Sequence, residues 1–474
     1  MKILIITLSI LAANLCNAQI TFLGTSSHGG INDHGTLFSV TTTGSLDTLF
    51  NFNLGDNGCT PGGSMVLAND GNYYGFTQSC GVNSVGTLIR YNPFTKLVTT
   101  VIDFDATIGD APLGSPVLGI DGALYGLTNA GGSGNGGTLF KCTTTGMLTV
   151  LVTFTGSNGL NPTGNLVQAP DGSFYGVTRF GGTNKKGIIF KYNTLSGLAV
   201  LHNFAGTDGL EPIGSLTLIK DSLLYGLTYG GGTYKGGVIF YCSTTGNYKM
   251  LTSFNSTIGM MPFGSLLNPR NGYLYGTTYS GGAYFVGTLF KCDDSGSVTV
   301  LANFNDSNGA HPTGTPILAS DGKLYGTTVA GGLIGGNSGV IYSYNIASNI
   351  LTDVYQFSPL ESKNPMGDLL EITNTVTTSH TIATTSTSSK IYPNPNKGQF
   401  TLDFGSSSVN INTTNDNLKF EVYNMLGQIV SSVNMNVLED KNSINIGSQP
   451  TGMYIYKVVS DNSGLLANGR FVIQ

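Results

Sequence analysis

Seven times along this chain a unit of ~50 residues recurs. Its refrain is a Tyr-Gly pair: Tyr74-Gly75, Tyr125-Gly126, Tyr175-Gly176, Tyr225-Gly226, Tyr275-Gly276 and Tyr325-Gly326, with Leu23-Gly24 as the first, degenerate copy. A repeat of this length, built from short apolar runs between turn signals, predicts an all-β propeller with one blade per copy. The copy at residues 312–357 shows the plan. Residues 315–319 are a short apolar run, Ser320-Asp321-Gly322 is a hairpin turn, and 323–328 are a second run. A glycine-rich stretch at 330–338 leads to a third run at 339–344 and, after a polar turn, a fourth at 351–357. These are strands a, b, c and d.

Six copies carry the four strands in order, whereas the first begins at strand b, near residue 20. Its missing strand a stands at the far end, where Pro365-Met366-Gly367-Asp368-Leu369-Leu370 repeats the pattern of Pro162-Thr163-Gly164-Asn165-Leu166-Val167. An open ring would leave a sheet edge exposed, and completing the first blade with the last segment removes it. The expected architecture is a closed seven-bladed β-propeller of four-stranded blades over residues 19–372.

Antiparallel connections alternate between faces, so the a–b and c–d turns share one face and the b–c and d–a loops the other. The first face has the turns Asp70-Gly71, Asp121-Gly122, Asp171-Gly172, Asn271-Gly272 and Asp321-Gly322, with Asp221-Ser222 as the variant. Asp-Gly is a preferred hairpin turn and needs no bound metal to account for it. The d–a loops, such as Asn305-Asp306-Ser307-Asn308-Gly309, contain oxygen donors, yet copies such as Asn255-Ser256-Thr257-Ile258-Gly259 lack a full calcium set. The longer-loop face is therefore the candidate binding face. Its aromatic and basic residues gather in the b–c loops of blades four to six: Arg179, Phe180, Lys185, Tyr229, Tyr234, Tyr279, Tyr284 and Phe285. Flat apolar rings beside Asn, Thr and Gly suit a sugar or a protein partner, and the same rings could instead pack between blades.

Catalytic signals are poor. His28, His34, His202 and His311 fall in different loops or strand positions, His380 falls in a Ser/Thr-rich linker, and no nucleophile elbow, zinc helix or phosphate loop occurs. Strand a should line the central channel, and its residues are mostly Gly, Ser, Thr, Leu, Asn and Pro. No catalytic residue, metal or cofactor is expected. Charged residues are a tenth of the chain, the net charge is −5 and no basic stripe is present, which argues against nucleic acid as a partner.

Residues 1–18 combine Lys2, an apolar run at 3–15 and a small residue at Ala18, the pattern of a cleaved secretory signal. Leu15 before Cys16 argues against lipidation, and no later segment reaches the ~18 apolar residues of a membrane span. Five cysteines follow the signal. Cys142, Cys242 and Cys292 share one repeat position and read as buried packing; single cysteines so far apart lack zinc-ligand spacing. Cys59, in the loop entering blade two, and Cys80, in its b–c loop, lie on one face of an exported chain, so a disulfide between them is expected, with two free loop thiols as the alternative.

With Asp321-Gly322-Lys323-Leu324-Tyr325-Gly326-Thr327-Thr328, Gly331-Gly332 and Gly287-Thr288-Leu289-Phe290-Lys291 written out, the repeat resembles the GloVer-type tandem repeats of secreted bacterial, choice-of-anchor proteins. That family supplies no agreed activity or catalytic residues. After a Ser/Thr-rich linker at 373–390 come Ile391-Tyr392-Pro393-Asn394-Pro395 with Gly398 and Phe400, Val422-Tyr423-Asn424 with Gly427-Gln428, Gly452-Met453-Tyr454, and Gly469-Arg470-Phe471-Val472. In that order these segments resemble the type A C-terminal sorting domain of the type IX secretion system of Bacteroidota. The resemblance implies that residues 391–474 form an immunoglobulin-like β-sandwich read by the secretion machinery, with the protein secreted or held at the outer cell surface. The chain closes with Gln474, where a basic residue is common in that family. Function is expected to be non-enzymatic binding of a glycan or surface protein; a propeller enzyme acting on polysaccharide or peptide and a structural surface-layer component are the alternatives.

Overall fold

Short runs of β-branched and aromatic residues between glycine turns put every repeat into antiparallel strands, and the computed structural model is all-β, with no helix among its described residues. The described residues are 19–220, 222–333, 337–358, 361–372, 390–392, 394, 397–403, 418–423, 429–435, 441–447, 449–460 and 464–473. The signal segment 1–18, Asp221, the linker at 373–389, and Pro393, Pro395, Asn424, Gly427, Gln428 and Gln474 lie outside them. The chain divides into two compact units, one of them Gln19–Thr373 and the other holding Asn374–Gln474.

The first unit contains seven antiparallel sheets of three to five strands. In the first, Leu46–Asn51, Thr36–Thr41 and Thr21–Ser26 lie side by side, and Leu370–Ile372 adds to the inner edge with Thr21 opposite Ile372 and Leu23 opposite Leu370. Strand a departs from the simple run that the sequence predicts. In the fourth sheet it is one strand, Leu160–Gln168, whose pairing is interrupted between Thr163 and Val167, and it splits into Cys59–Pro61 and Val66–Leu67 in the second, and into Ala310–Pro312 and Ile317–Leu318 in the seventh. In the sixth sheet it is reduced to two isolated bridges, Met260 to Ser280 and Leu267 to Tyr275. The interruption has a local cause: at its centre the backbone N–H groups turn to the neighbouring sheet instead of to strand b, as when Ser64 N–H donates to Ser115 Oγ at 2.8 Å.

Both halves of the Tyr-Gly refrain have physical causes. The glycine lies beneath an aromatic ring from strand c, and a Cβ at Gly126, Gly176 or Gly276 would collide with Phe140, Phe190 or Phe290. The tyrosine is buried, and in three copies its hydroxyl donates to the a–b turn: Tyr74 to Asp70 at 2.7 Å, Tyr125 to Asp121 at 3.0 Å and Tyr325 to Asp321 at 2.8 Å. Lys141 from strand c adds an ion pair to Asp121 at 2.6 Å. These turn carboxylates thus also clamp strands b and c to the hairpin.

Apolar packing runs from sheet to sheet. Leu23, Leu37 and Phe52 meet Met65, Ile89 and Tyr91 of the second sheet, and comparable clusters join each later pair. A last cluster puts Tyr325, Ile341 and Phe357 of the seventh sheet against Phe22, Phe38 and Val40 of the first. Phe22 and Tyr325 have ring centroids 4.6 Å apart. Cys142, Cys242 and Cys292 sit in these inter-sheet cores, where burial pushes their thiols up to about 11, 11 and 12 and so suppresses the reactive thiolate.

In the C-terminal unit, Lys390–Tyr392, Gln399–Asp403 and Lys441–Asn445 form one antiparallel sheet. Ile429–Met435, Leu418–Tyr423, Gly452–Ser460 and Gly464–Ile473 form another. Every second residue turns inward, so Phe400 and Leu402 from one sheet share a core with Phe420, Val422, Tyr456, Val458 and Phe471 from the other.

Candidate functional site

The inner segments of the seven sheets converge on a cavity of about 330 Å³. Each contributes a glycine packed against the next: Gly63 against Gly114, then Gly164, Gly214, Gly264, Gly314 and Gly367, which lies against Gly63. A side chain at Gly63 would drive into the backbone at Gly114. In six of the seven, the residue after the glycine hands a hydrogen bond onward. Backbone N–H groups donate from Ser64 to Ser115 Oγ, Ser115 to Asn165 Oδ1, Asn165 to Ser215 Oγ, Ser215 to Ser265 Oγ, Ser265 to Thr315 Oγ1 and Thr315 to Asp368 Oδ1, at 2.6–3.0 Å. At ~1 kcal/mol each, such bonds fix the inner segments at modest individual gain.

The residue before each glycine varies: Gly62, Leu113, Thr163, Ile213, Phe263, Thr313 and Met366. Phe263, Thr313 and Met366 are shared with a second cavity, of about 410 Å³, completed by Ser27, His28, Tyr229, Tyr279, Val329 and Asn364. These groups stand at the ends of strand b and the starts of strand a, on the longer-loop face. Phe263 lies 6.4 Å from both Tyr229 and Tyr279 between ring centroids, and Tyr279 stacks on His311 at 4.4 Å. His311 Nδ1 is 2.8 Å from the Tyr279 carbonyl oxygen, so that nitrogen carries the proton if it donates.

Seven of the eight residues singled out from sequence fall into two groups. Tyr229 and Tyr279 line the aromatic cavity and Arg179 lines the axial one, all three half-buried. Lys185, Tyr234, Tyr284 and Phe285 stand exposed at the loop tips, Phe285 at 70%. Phe180 lies under the Arg179 guanidinium at 5.0 Å. The Arg179 charge is matched by Glu211, whose Oε2 accepts from Nε at 3.0 Å and from Nη2 at 2.8 Å. Sequence reading missed Glu211, Phe263 and Asp368. The variable column before the invariant glycine was the available signal for Phe263, and the single acid among Ser, Thr and Asn was the signal for Asp368.

Cys59 and Cys80 are joined by a disulfide with Cα atoms 5.3 Å apart. Among the described residues no group of three or more His, Cys, Asp or Glu side chains is placed to hold a metal ion. No helix among them is long and apolar enough to cross a membrane.

No curated protein sequence matches the chain. Among the crystal structures that resemble it are candidate 6-phosphogluconolactonases from Bacteroides uniformis and Bacteroides fragilis. Each has a TM-score of 0.52 at 16% identity over 75% of this chain, covering 100% and 98% of their own. At that identity the likeness speaks for a propeller-like fold alone. The secretion system C-terminal sorting domain matches residues 390–474, which makes this a secreted, cell-surface protein addressed to the type IX machinery. The Gloeobacter/Verrucomicrobia repeat matches residues 11–170 and 162–392, most of the chain. The chain therefore belongs to the Gloeobacter/Verrucomicrobia repeat family and carries a type IX sorting domain at its C-terminal end.

Proposed function

We propose that the seven sheets are the blades of a closed propeller and that its longer-loop face is a non-enzymatic binding face for a glycan, displayed at the cell surface. The cycle of glycine contacts from Gly63 round to Gly367, and the pairing of Leu370–Ile372 with the first sheet, support the closed form. In the same proposal, residues 1–18 are a removed signal peptide, 373–390 a tether, and the terminal domain an immunoglobulin-like address.

One observation carries the glycan reading: Tyr229, Phe263 and Tyr279 line a cavity of about 410 Å³ together with Ser27, His28, Thr313 and Asn364. Flat apolar faces next to hydrogen-bonding groups match a sugar ring, which is apolar on its C–H face and polar at its rim. The exposed Tyr234, Tyr284 and Phe285 extend the aromatic character of this face. A glycan array probed with the mature chain should show selective binding that Tyr229→Ala and Tyr279→Ala each weaken by about tenfold, as expected for one aromatic contact of ~1.5 kcal/mol. Unchanged binding in both variants would move the site elsewhere; a surface protein captured in place of any glycan would replace the ligand class.

A further inference from the structure

The axial ring carries one acidic side chain where its architecture asks only for an acceptor. Ring position by ring position the residues are Ser64, Ser115, Asn165, Ser215, Ser265, Thr315 and Asp368. Asn165 accepts the Ser115 N–H at 2.6 Å, the same length as the bond from Thr315 N–H to Asp368. A neutral amide therefore does the structural work of this position. The carboxylate adds a burden, since burial pushes Asp368 up to about 6 even with Thr315 donating to it.

A second departure from the repeat lies within electrostatic reach of the first. At the strand c position facing the refrain glycine, the other sheets have Phe38, Ile89, Phe140, Phe190, Phe240 and Phe290, and the seventh has Tyr342. The Tyr342 hydroxyl is buried with no hydrogen-bond partner, and the Asp368 charge acts on it. An orphaned buried hydroxyl costs about 1–3 kcal/mol. Fold stability alone would favour Asn at 368 and Phe at 342, yet both polar groups are present together, and Asp368 lines the axial cavity.

We infer that the axial cavity is a subsite for the terminal residue of a neutral glycan, with Asp368 as the acceptor that reads its hydroxyl groups. This rests on the glycan reading of the adjoining aromatic cavity, which shares Phe263, Thr313 and Met366 with the axial one. The volume of about 330 Å³ falls in the range of small-ligand sites. A carboxylate has about four lone-pair positions, and Thr315 occupies only part of that capacity. Around it, Ser115, Ser215 and Ser265 accept N–H groups through their oxygens and retain their own O–H hydrogens to donate, whereas the Thr315 hydroxyl already donates to Asp368. A strong acceptor amid hydroxyl donors complements a sugar's paired hydroxyls. An acidic sugar would bring a second negative charge beside Asp368 in a poorly solvated space, and Arg179, the cation lining the cavity, is already matched by Glu211.

The test uses the mature chain and its Asp368→Asn and Tyr342→Phe variants. Calorimetric titration with neutral gluco-, manno-, galacto- and xylo-oligosaccharides is compared with oligogalacturonate as the acidic probe, and thermal melting is recorded for each variant. The expected result is binding of a neutral glycan, no binding of oligogalacturonate, and a loss of about tenfold or more in Asp368→Asn, the scale of a charge-assisted hydrogen bond. Asp368→Asn should melt at a higher temperature than the parent while binding more weakly. A neutral glycan bound equally well by parent and Asp368→Asn overturns the subsite and leaves the aromatic site standing. An Asp368→Asn variant that melts lower makes the carboxylate structural and also overturns it. Oligogalacturonate binding as tightly as a neutral glycan overturns the ligand class, and a parent chain that binds no glycan sinks both readings.

Discussion

The hydroxyl oxygens of Thr36 and Ser362, 326 positions apart in sequence, lie 2.6 Å apart in the buried interior. Ser362 also donates to Ser26 Oγ at 2.7 Å, and Ser26 lies 3.0 Å from Thr36, which makes a triangle of hydroxyls. In other sheets the equivalent threonine donates to a carbonyl in its own d–a loop: Thr87 to Asn57, Thr138 to Ile108 and Thr288 to Ile258. The segment that returns from the far end of the repeats thus supplies a side chain where three other repeats use backbone.

Removing residues 363–372 takes away the strand paired with Thr21–Ser26 and exposes that edge. The truncated chain should melt well below the parent or aggregate, as followed by calorimetry and light scattering. Parent-like melting would refute the closed ring.

The Cys59–Cys80 bond spans 21 residues. Replacing both with serine should lower stability by about 3 kcal/mol, read from the denaturation midpoint, because a loop of that length regains its freedom in the unfolded chain. An unchanged midpoint would show that the link constrains nothing that matters for unfolding.

Asp368 makes stability depend on pH. Its folded value of about 6 exceeds the ordinary 3.8, so the folded chain holds this proton more tightly than the unfolded one. Its contribution is fully present below about 3.8 and is lost as pH rises through about 6, a change on the order of 2–3 kcal/mol. His202 acts in the opposite sense. Burial lowers it below 6.5 despite Asp208 at 2.9 Å, so its contribution is present above 6.5 and falls away as pH drops. Comparing the parent with Asp368→Asn at pH 5 and pH 8 cancels His202. The variant should gain relative stability at pH 8, and an identical gap at both pH values would remove the buried carboxylate from the account.

A reporter with residues 1–18 at its start and 390–474 at its end should cross the outer membrane of a host with a working type IX system. The repeat unit without the tail should fold yet remain inside. A reporter held in the periplasm would refute the role given to the tail.

Periodic features were legible in sequence because they repeat within reach of one another. The Tyr-Gly refrain and the Asp-Gly turns announce a hairpin over a few residues, and the match of residues 365–370 to 162–167 locates the strand opposite Thr21–Leu23. The split of strand a was not legible, because its cause is a bond from Ser64 to Ser115, 51 positions away. Glu211 was missed for the same reason: its partner Arg179 stands in the preceding sheet, 32 residues upstream. Tyr229, Tyr279 and Arg179 were picked out by residue type, but the cavities they line depend on Phe263 and Asp368, whose meaning emerges only when one column is followed around all seven copies.

The pairing of Thr21 with Ile372 also sets a timetable. During synthesis the edge of Thr21–Ser26 waits for a partner made 351 residues later, roughly 20–70 s at ordinary elongation rates of ~5–20 residues per second. Through that interval Phe22 and Leu23 stand on an unpaired, apolar edge able to capture other nascent chains. The segment at 370–372 acts as a clasp, so the topology favours a chain kept from premature association until its end arrives.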